Sequence, residues 1–133
     1  MKYLIDSNIW IYAAGGVQPA IAFLDQVAAA EWIGYSAISR LEVFGYPGLR
    51  ADDEVKLRNL LSCFTEVEVG RAVINRAIEV RKASAIKTPD AIVAGTALLM
   101  QAQLVTRNAS DFKHVSGLVV VNPFEPGALI ENG

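Results

Sequence analysis

KTPDAIVAGTALLMQAQLVTRNASDF, residues 87–112, predicts a helix, then a buried strand, then the start of a second helix. Thr88 can cap the first helix with its hydroxyl group, and Pro89 suits the first helical position, which puts Asp90 in the first turn. Residues 91–100 carry no charge, a pattern typical of a helix that is packed on all sides. We therefore expect Asp90 to face the protein interior, where an isolated carboxylate is costly unless a cation lies against it.

The second half of this stretch predicts a short strand over residues 104–106 and a helix start at residues 107–111. Asn108 can cap that helix, and Asp111 follows three residues later, as in a capping box. In a parallel sheet, ligands bind at the carboxyl ends of the strands. Asp90 and Asp111 are therefore expected to converge there.

The chain begins with a predicted buried strand over residues 3–5, followed directly by Asp6, Ser7 and Asn8. One interpretation is that Asp6 or Ser7 only caps the next helix. The functional interpretation is an acid at a strand end with small polar groups that orient it. Glu42 lies on the helix predicted after the second strand. A glutamate on a helix ordinarily faces solvent. Its closeness to a strand end favours the alternative, a place in the same acidic site as Asp6.

The remaining pattern predicts strands and helices in alternation, without repeats or a flexible linker. Residues 65–69 alternate as an edge strand, residues 118–121 form a last buried strand, and residues 72–82 form an amphipathic helix with Ile74 and Ile78 on its apolar side. The order predicts one α/β domain over residues 1–133 with a mainly parallel sheet. Basic residues on this helix and Lys87 form either a solvated face or a rim that contacts phosphates beside Asp90.

Composition limits the class of protein. The 133 residues carry a net charge of −2, a mean hydropathy of +0.32 and one cysteine, Cys63, which excludes an internal disulfide and predicts a buried thiol. We expect no membrane span and a cytoplasmic protein. The acidity argues against nucleic-acid binding, but if four acids are ligands, ten acids remain against twelve Lys and Arg residues.

Right-handed crossovers would bring Asp6, Asp90 and Asp111 to one edge of the sheet, and the helix after the second strand could bring Glu42 there. Four carboxylates repel one another unless protons or cations neutralise them. Because His and Cys are absent from the set, the fitting cations are Mg²⁺ or Mn²⁺, one or two per site. Such a cluster is typical of phosphodiester hydrolysis by metal-activated water.

Five segments, in this order, resemble the PIN-domain nucleases, specifically the VapC-type toxins of toxin-antitoxin pairs. They are LIDSNIW at residues 4–10, RLE at 40–42, KTPDAIVAGTAL at 87–98, LVTRNASDF at 104–112 and VVVNPF at 119–124. The resemblance covers nearly the whole chain. It implies a three-layer α/β/α sandwich with a mainly parallel sheet of four to five strands, and Mg²⁺- or Mn²⁺-dependent endoribonuclease activity.

The resemblance also implies roles for individual residues. Asp6, Glu42 and Asp90 would be the core metal ligands and Asp111 the fourth acid, bound directly or through water. Ser7 stands where Thr is common. The supporting residues would be Ser7, Asn8, Thr106 and Asn108. Contacts to substrate phosphates are predicted for Arg40, Lys87 and Arg107.

The same resemblance implies an RNA substrate, a homodimer and a cognate antitoxin whose peptide lies in an apolar groove. Candidate groove residues are Trp10, Tyr12, Phe44 and Tyr46, each of which could instead belong to the core. His114 is expected to be a surface residue without a catalytic role.

Three other functions share part of this sequence pattern. An aspartyl nucleophile is disfavoured because the residue two positions after Asp6 is Asn8 rather than a second Asp. A receiver-type signalling domain would need a phospho-accepting Asp and a Lys in a layout that the sequence does not show clearly. A PIN-like module that binds RNA or protein without cutting is the non-enzymatic alternative.

Overall fold

The computed structural model describes residues 1–126. It contains five strands and six α-helices, with one short 3₁₀ helix at Ala109–Phe112. The strands are β1 (Lys2–Ile5), β2 (Trp32–Ser36), β3 (Thr65–Val67), β4 (Gln103–Val105) and β5 (Val120–Val121). The helices are α1 (Ser7–Ala14), α2 (Gln18–Gln26), α3 (Ala37–Phe44), α4 (Ala51–Leu61), α5 (Arg71–Ser84) and α6 (Thr88–Met100).

The strands form one parallel sheet in the order β3-β2-β1-β4-β5. The register pairs Leu4 of β1 with Gly34 of β2 on one side and with Leu104 of β4 on the other. The predicted parallel sheet is confirmed, and β3 is the edge strand that alternating residues 65–69 predicted.

Both faces of the sheet are covered, because alternate residues of each strand belong to different cores. Tyr3 and Ile5 pack into one core with residues of α1, α2 and α4. Leu4 packs into the other with residues of α5 and α6. This two-sided burial is the reason that the strands read as continuous apolar runs. The predicted three-layer α/β/α sandwich is confirmed.

The strand order places the site. From β1 the chain moves outward to β2 and β3, then returns across the sheet to β4 on the other side of β1. The order therefore reverses between β1 and β4, where α/β sheets characteristically open a crevice at the carboxyl ends of their strands. Since α6 runs back along the sheet into β4, its first turn lies at that same edge.

Several local predictions were wrong. Thr88 is the first residue of α6 rather than its cap; Lys87 occupies the cap position without a side-chain hydrogen bond. Asn108 precedes the 3₁₀ helix but forms no capping box, because its side chain does not bond the helix. The last strand is shorter than predicted, Val120–Val121, and only partly buried.

Cys63 is exposed, not buried, because it follows α4 in a surface turn. Ile74 and Ile78 are also exposed, and the buried side of α5 is formed by Val73, Ala77 and Val80. No helix within residues 1–126 is long and apolar enough to cross a membrane. Residues 127–133 of the predicted domain lie outside the described residues.

Candidate metal centre

Asp6 lies at the carboxyl end of the central strand β1, and only 9% of its surface is exposed. Its Oδ1 accepts a hydrogen bond from the backbone N–H of Ser7 at 2.9 Å, so it does cap α1. Its Oδ2 accepts from the hydroxyl of Thr106 at 2.9 Å and from Nδ2 of Asn8 at 3.3 Å. Capping uses one carboxylate oxygen, and the contact with β4 uses the other.

Thr106 joins the ends of β1 and β4. Its side chain is fully buried, and its Oγ1 accepts from the backbone N–H of Asn108 at 3.1 Å while donating to Asp6. Asn8 completes the junction: its Nδ2 lies 3.2 Å from the Thr106 hydroxyl, and its Oδ1 accepts from the backbone N–H of Arg107 at 3.1 Å. The loop after β4 is thereby tied to the carboxylate of Asp6.

Glu42 reaches the same edge from α3. Its Oε1 accepts a hydrogen bond from the hydroxyl of Ser7 at 2.6 Å, across 35 residues of sequence. A short hydrogen bond to a carboxylate is stronger than one between neutral groups. Ser7 therefore orients Glu42 toward the end of β1, while the rest of Glu42 stays exposed.

Burial raises the pKa of Asp6 above its ordinary value of 3.8, because desolvation disfavours the carboxylate. The hydrogen bonds from Thr106 and Ser7 act in the opposite direction, and the charges of Glu42 and Asp90 raise the pKa further. The net direction is upward, so the hydrogen bonds do not compensate for burial and repulsion.

The pKa of Asp90, which is half-buried in the first turn of α6, is also raised. Burial is the largest cause, the charges of Asp111 and Glu42 add to it, and the ammonium group of Lys87 lowers it. Asp90 thus interacts with all three other acids. The structure brings the four predicted acids within electrostatic range of one another.

The four acids do not form a ready-made metal cage. Within residues 1–126, no three His, Cys, Asp or Glu side chains lie close enough together to hold a metal ion. Their donor chemistry nevertheless fits a hard cation, since all eight oxygens are carboxylate oxygens.

The three predicted phosphate contacts lie in different surroundings. Arg40 pairs with Glu66 of the next strand, with Nε 2.6 Å from Oε1. Lys87 lies near enough to Asp90 to lower its pKa. The guanidinium of Arg107 lies over the rings of Tyr12 and Phe124, with its carbon 5.0 Å and 4.2 Å from their centroids.

The predicted groove needs one correction. Trp10 is fully buried, its Nε1 donates to the carbonyl of Ile5 at 3.2 Å, and its ring packs against Tyr35 and Phe64, so the prediction that it lines a groove is wrong. Its apolar neighbours along α1 gave no sign of which face would be exposed.

The other three candidate residues retain accessible surface. Tyr12 is half-buried against Phe124, Phe44 is half-buried beneath the guanidinium of Arg58, and Tyr46 is mostly exposed. None of these contacts identifies a partner.

The sequence did not single out two residues of this region. Ser39 lies one helical turn before Glu42 on α3, is 1% exposed, and its Oγ has no hydrogen-bond partner among the described residues. Asn122 donates from Nδ2 to the carbonyl of Arg107 at 3.2 Å and fixes the far side of the loop after β4. A serine inside an apolar helical stripe was the available signal for Ser39.

A cavity of about 670 Å³ lies elsewhere, at the amino end of β4. It is formed by α5, the end of α6 and residues 114–119, and it contains none of the four acids. His114 lies on its wall and is exposed. Cavity size therefore does not locate the acidic site; the carboxyl edge of the sheet does.

Comparisons with known proteins agree with this geometry. The family description "PIN domain" matches residues 3–118. No curated protein matches the chain significantly. Among solved structures, a toxin-antitoxin complex from Klebsiella pneumoniae is 32% identical, with a TM-score of 0.78, over 92% of this chain and 98% of that one.

Two further structures show the same fold at lower identity. VapBC2 from Rickettsia felis, bound to a promoter DNA fragment, is 24% identical with a TM-score of 0.81, over 92% of this chain and 98% of that one. VapBC-1 from nontypeable Haemophilus influenzae is 19% identical with a TM-score of 0.75, over 94% and 100%. The resemblance to VapC-type toxins that the motifs indicated is confirmed, and the chain belongs to the PIN domain family.

Proposed function

We propose that this chain is a Mg²⁺- or Mn²⁺-dependent endoribonuclease and the toxin of a toxin-antitoxin pair. The observation that carries the proposal is the electrostatic coupling of Asp6, Glu42, Asp90 and Asp111 at one edge of the sheet. Four acids from distant parts of the chain repel one another there, and the pKa values of Asp6 and Asp90 are raised. A cation bound at this edge would offset the repulsion between these acids and the RNA phosphate that is cut.

The four acids differ in the contacts that hold them. Asp6 is held by three donors, so its Oδ2 is fixed in position beside β4. Glu42 is held by Ser7. Asp90 is half-buried and Asp111 is exposed, and both interact electrostatically with one another. These four residues would hold one or two ions, which when bound supply an activated water and offset charge on the leaving oxygen.

Cleavage of single-stranded RNA with purified protein tests the proposal. We expect cleavage with Mg²⁺ or Mn²⁺, loss of cleavage in EDTA, and recovery when excess metal is added. Asp6→Asn should lower the rate by about 100-fold or more, because even the loss of residues that orient metal ligands typically costs ~10–100-fold. Cleavage that persists in chelator would rule out the metal mechanism.

Asp53→Asn is the matched control, because Asp53 is a partly exposed acid in the first turn of α4 and lies outside the acidic site. It should cleave like the parent chain. A second readout is independent of activity: Mn²⁺ should raise the Tm of the parent and of Asp53→Asn, and raise that of Asp6→Asn less.

The antitoxin is the proposed protein partner, since the 32% identical relative was solved as a toxin-antitoxin complex. We also propose that the chain forms a homodimer and works in the cytoplasm, where its RNA substrate would be found. Coexpression with the product of a neighbouring small gene should relieve growth arrest and yield a complex that copurifies.

A catalytically silent module that binds RNA or protein is the second candidate. The presence of all four acids, two of them with raised pKa values, disfavours it, because a binding surface for RNA gains nothing from that repulsion. If the protein bound RNA tightly and left it intact with either metal, this second function would replace the first.

A further inference from the structure

Arg107 differs from most of the other arginines of the chain in its surroundings. Arg40, Arg50, Arg58 and Arg76 each lie within 4.0 Å of a carboxylate. Arg107 makes no such ion pair within residues 1–126; its guanidinium lies over two aromatic rings instead. An exposed cation without a carboxylate partner is available to an anion from outside the chain.

The two rings form a support for this cation. Tyr12 comes from α1 and Phe124 from the segment after β5, and their centroids lie 5.1 Å apart at an interplanar angle of 62°. A guanidinium that stacks on a ring keeps its in-plane N–H donors free for a second partner. The rings therefore restrict the orientation of Arg107 without using up its hydrogen bonds.

The backbone of Arg107 is held just as firmly. Its N–H donates to Oδ1 of Asn8 at 3.1 Å, and its carbonyl accepts from Nδ2 of Asn122 at 3.2 Å. Asn8 in turn donates to Oδ2 of Asp6 at 3.3 Å. Two hydrogen bonds through one side chain thus connect the backbone of Arg107 to the most buried acid of the site.

We propose that Arg107, supported by Tyr12 and Phe124, binds a backbone phosphate of single-stranded RNA next to the phosphate that is cut. The inference rests on the proposed ribonuclease function and assigns one subsite of it. The acidic cluster repels RNA, so a substrate that crosses it needs fixed positive charge at the rim. A stacked guanidinium supplies that charge with the planar donor geometry that phosphate oxygens accept in pairs.

Tyr12 has a different role in this proposal from the groove residue predicted from the sequence. Its ring lies against Phe124 and under Arg107, so it positions the guanidinium rather than offering a free apolar face. Tyr12 and Phe124 are positioning residues, and Arg107 is the residue that touches the substrate.

The test measures RNA binding in EDTA, so that the result does not depend on cleavage. A fluorescently labelled pool of single-stranded RNA oligonucleotides is titrated with the parent chain and with Arg107→Ala, by anisotropy at several salt concentrations. We expect Arg107→Ala to weaken binding by about tenfold. The slope of log affinity against log salt should fall by about 0.7, the value for one phosphate contact on a single strand.

Arg76→Ala is the matched control, because it removes the same charge from α5 beside the cavity at the amino end of β4. It should leave both affinity and salt slope close to those of the parent. A change as large as that of Arg107→Ala would mean that only net charge matters, and would overturn the proposal.

Two further variants distinguish the supporting role of the aromatic rings from the contact that Arg107 makes with phosphate. Tyr12→Leu and Phe124→Leu keep the positive charge but remove a ring, so each should weaken binding by roughly two- to fivefold, the loss of one cation–π contact, with the salt slope unchanged. Arg107→Lys should restore the salt slope but not the full affinity. Circular dichroism and Tm confirm that each variant is folded.

The outcomes distinguish this inference from the function on which it rests. Loss of RNA binding in Arg107→Ala together with an absence of cleavage by the parent would keep the phosphate subsite and reject the nuclease. Normal RNA binding by Arg107→Ala, or no RNA binding by the parent, would overturn the subsite. If Arg107→Ala weakened only binding of the antitoxin, the cation would belong to a protein interface and the proposal would be wrong.

Discussion

Asp6 and Asp90 both have raised pKa values, but they stand in different surroundings. Asp6 is nearly buried and accepts three hydrogen bonds, so its charge is partly compensated by donors that also fix its position. Asp90 is half-buried, and within the described residues its side chain makes no hydrogen bond. Repulsion by Asp111 and Glu42 is therefore compensated at Asp90 mainly by Lys87 and by the helix N-terminus.

Replacing Asp90 by asparagine should stabilise the metal-free protein. The upward pKa shift shows that burial and repulsion outweigh the favourable helix position, so removing the charge relieves the folded state. We expect about 0.5 kcal/mol after allowance for solvent screening, a rise of roughly 2 °C in Tm. Thermal unfolding in EDTA measures it.

The effect should depend on pH with a definite sign. A carboxyl whose pKa is raised on folding binds its proton more tightly in the folded state, so the stability of the parent falls as pH rises from about 3.8 through the raised value. The amide that replaces the carboxyl group in the variant does not titrate. The Tm advantage of Asp90→Asn should therefore be small near pH 4 and larger at pH 7, and a constant difference would contradict the electrostatic cause.

At the scale of elements, α5 and α6 approach closely at Gly95. A Cβ placed at Gly95 would lie 2.9 Å from the backbone nitrogen of Ala77, closer than real Cβ contacts allow. Because the contact is with backbone, α5 or α6 would have to shift. The first turn of α6 carries Asp90, so this contact helps to set the position of an acid of the site.

Gly95→Ala should lower the free energy of unfolding by about 1–2 kcal/mol, since overpacking typically costs ~1–3 kcal/mol and the gain in helix propensity recovers up to ~1 kcal/mol. Gly70→Ala is the control, because nothing lies within 4 Å of its Cβ position. Urea unfolding of both variants measures the difference. Equal stabilities would show that α5 and α6 are not held at this contact.

Sequence patterns predicted the helices and strands better than they predicted which faces of those elements are buried. The apolar strands predicted a parallel sheet, which is confirmed because a sheet covered on two sides allows few polar residues. The uncharged residues 91–100 predicted a helix packed on all sides; α6 is buried over residues 93–97, but Leu99 is exposed. The burial of Trp10 and the exposure of Ile74 and Cys63 could not be predicted in the same way. Those depend on which helices pack across each face, information that no single segment contains.

The same distinction applies to the acidic site, where the sequence predicted the positions of the acids but not the contacts that hold the side chains. Asp6 and Asp90 could be placed by their positions at a strand end and in a helix's first turn, which topology brings to one edge. The hydrogen bond from Ser7 to Glu42 and the support of Arg107 by Tyr12 and Phe124 depend on side-chain directions that distant segments set jointly. Local periodicity does not specify such contacts.

For the whole molecule, exposed apolar residues of α3, of α4 and of the segment between them are candidate contacts for the proposed antitoxin. Leu41 is 71% exposed, and Tyr46 and Val55 are also mostly exposed. Leu41 directly precedes Glu42 on α3, so a partner that covers Leu41 would approach the acidic site as well. Leu41 and Phe44 line one surface depression with Arg58 of α4, and contiguous exposed apolar surface characteristically marks protein interfaces.

Leu41→Ser should weaken binding of the antitoxin by about tenfold, because burying a leucine side chain contributes roughly 1.5–3 kcal/mol. Val119→Ser, an exposed apolar residue just before β5, is the control and should bind as the parent does. Titration of the copurified partner, after its separation from the chain, measures both.

Light scattering of the free chain should give twice its 14.3 kDa mass if it forms the proposed homodimer.

The hydroxyl of Thr106 reaches Asp6 from 100 residues further along the chain. A ribosome that makes this protein therefore releases Asp6 long before it has made the group that holds it. Every unfinished or prematurely terminated chain that stops before β4 lacks the central sheet pairing as well as this hydroxyl. A nascent chain of the proposed nuclease would therefore lack the assembled acidic site until that late segment has emerged.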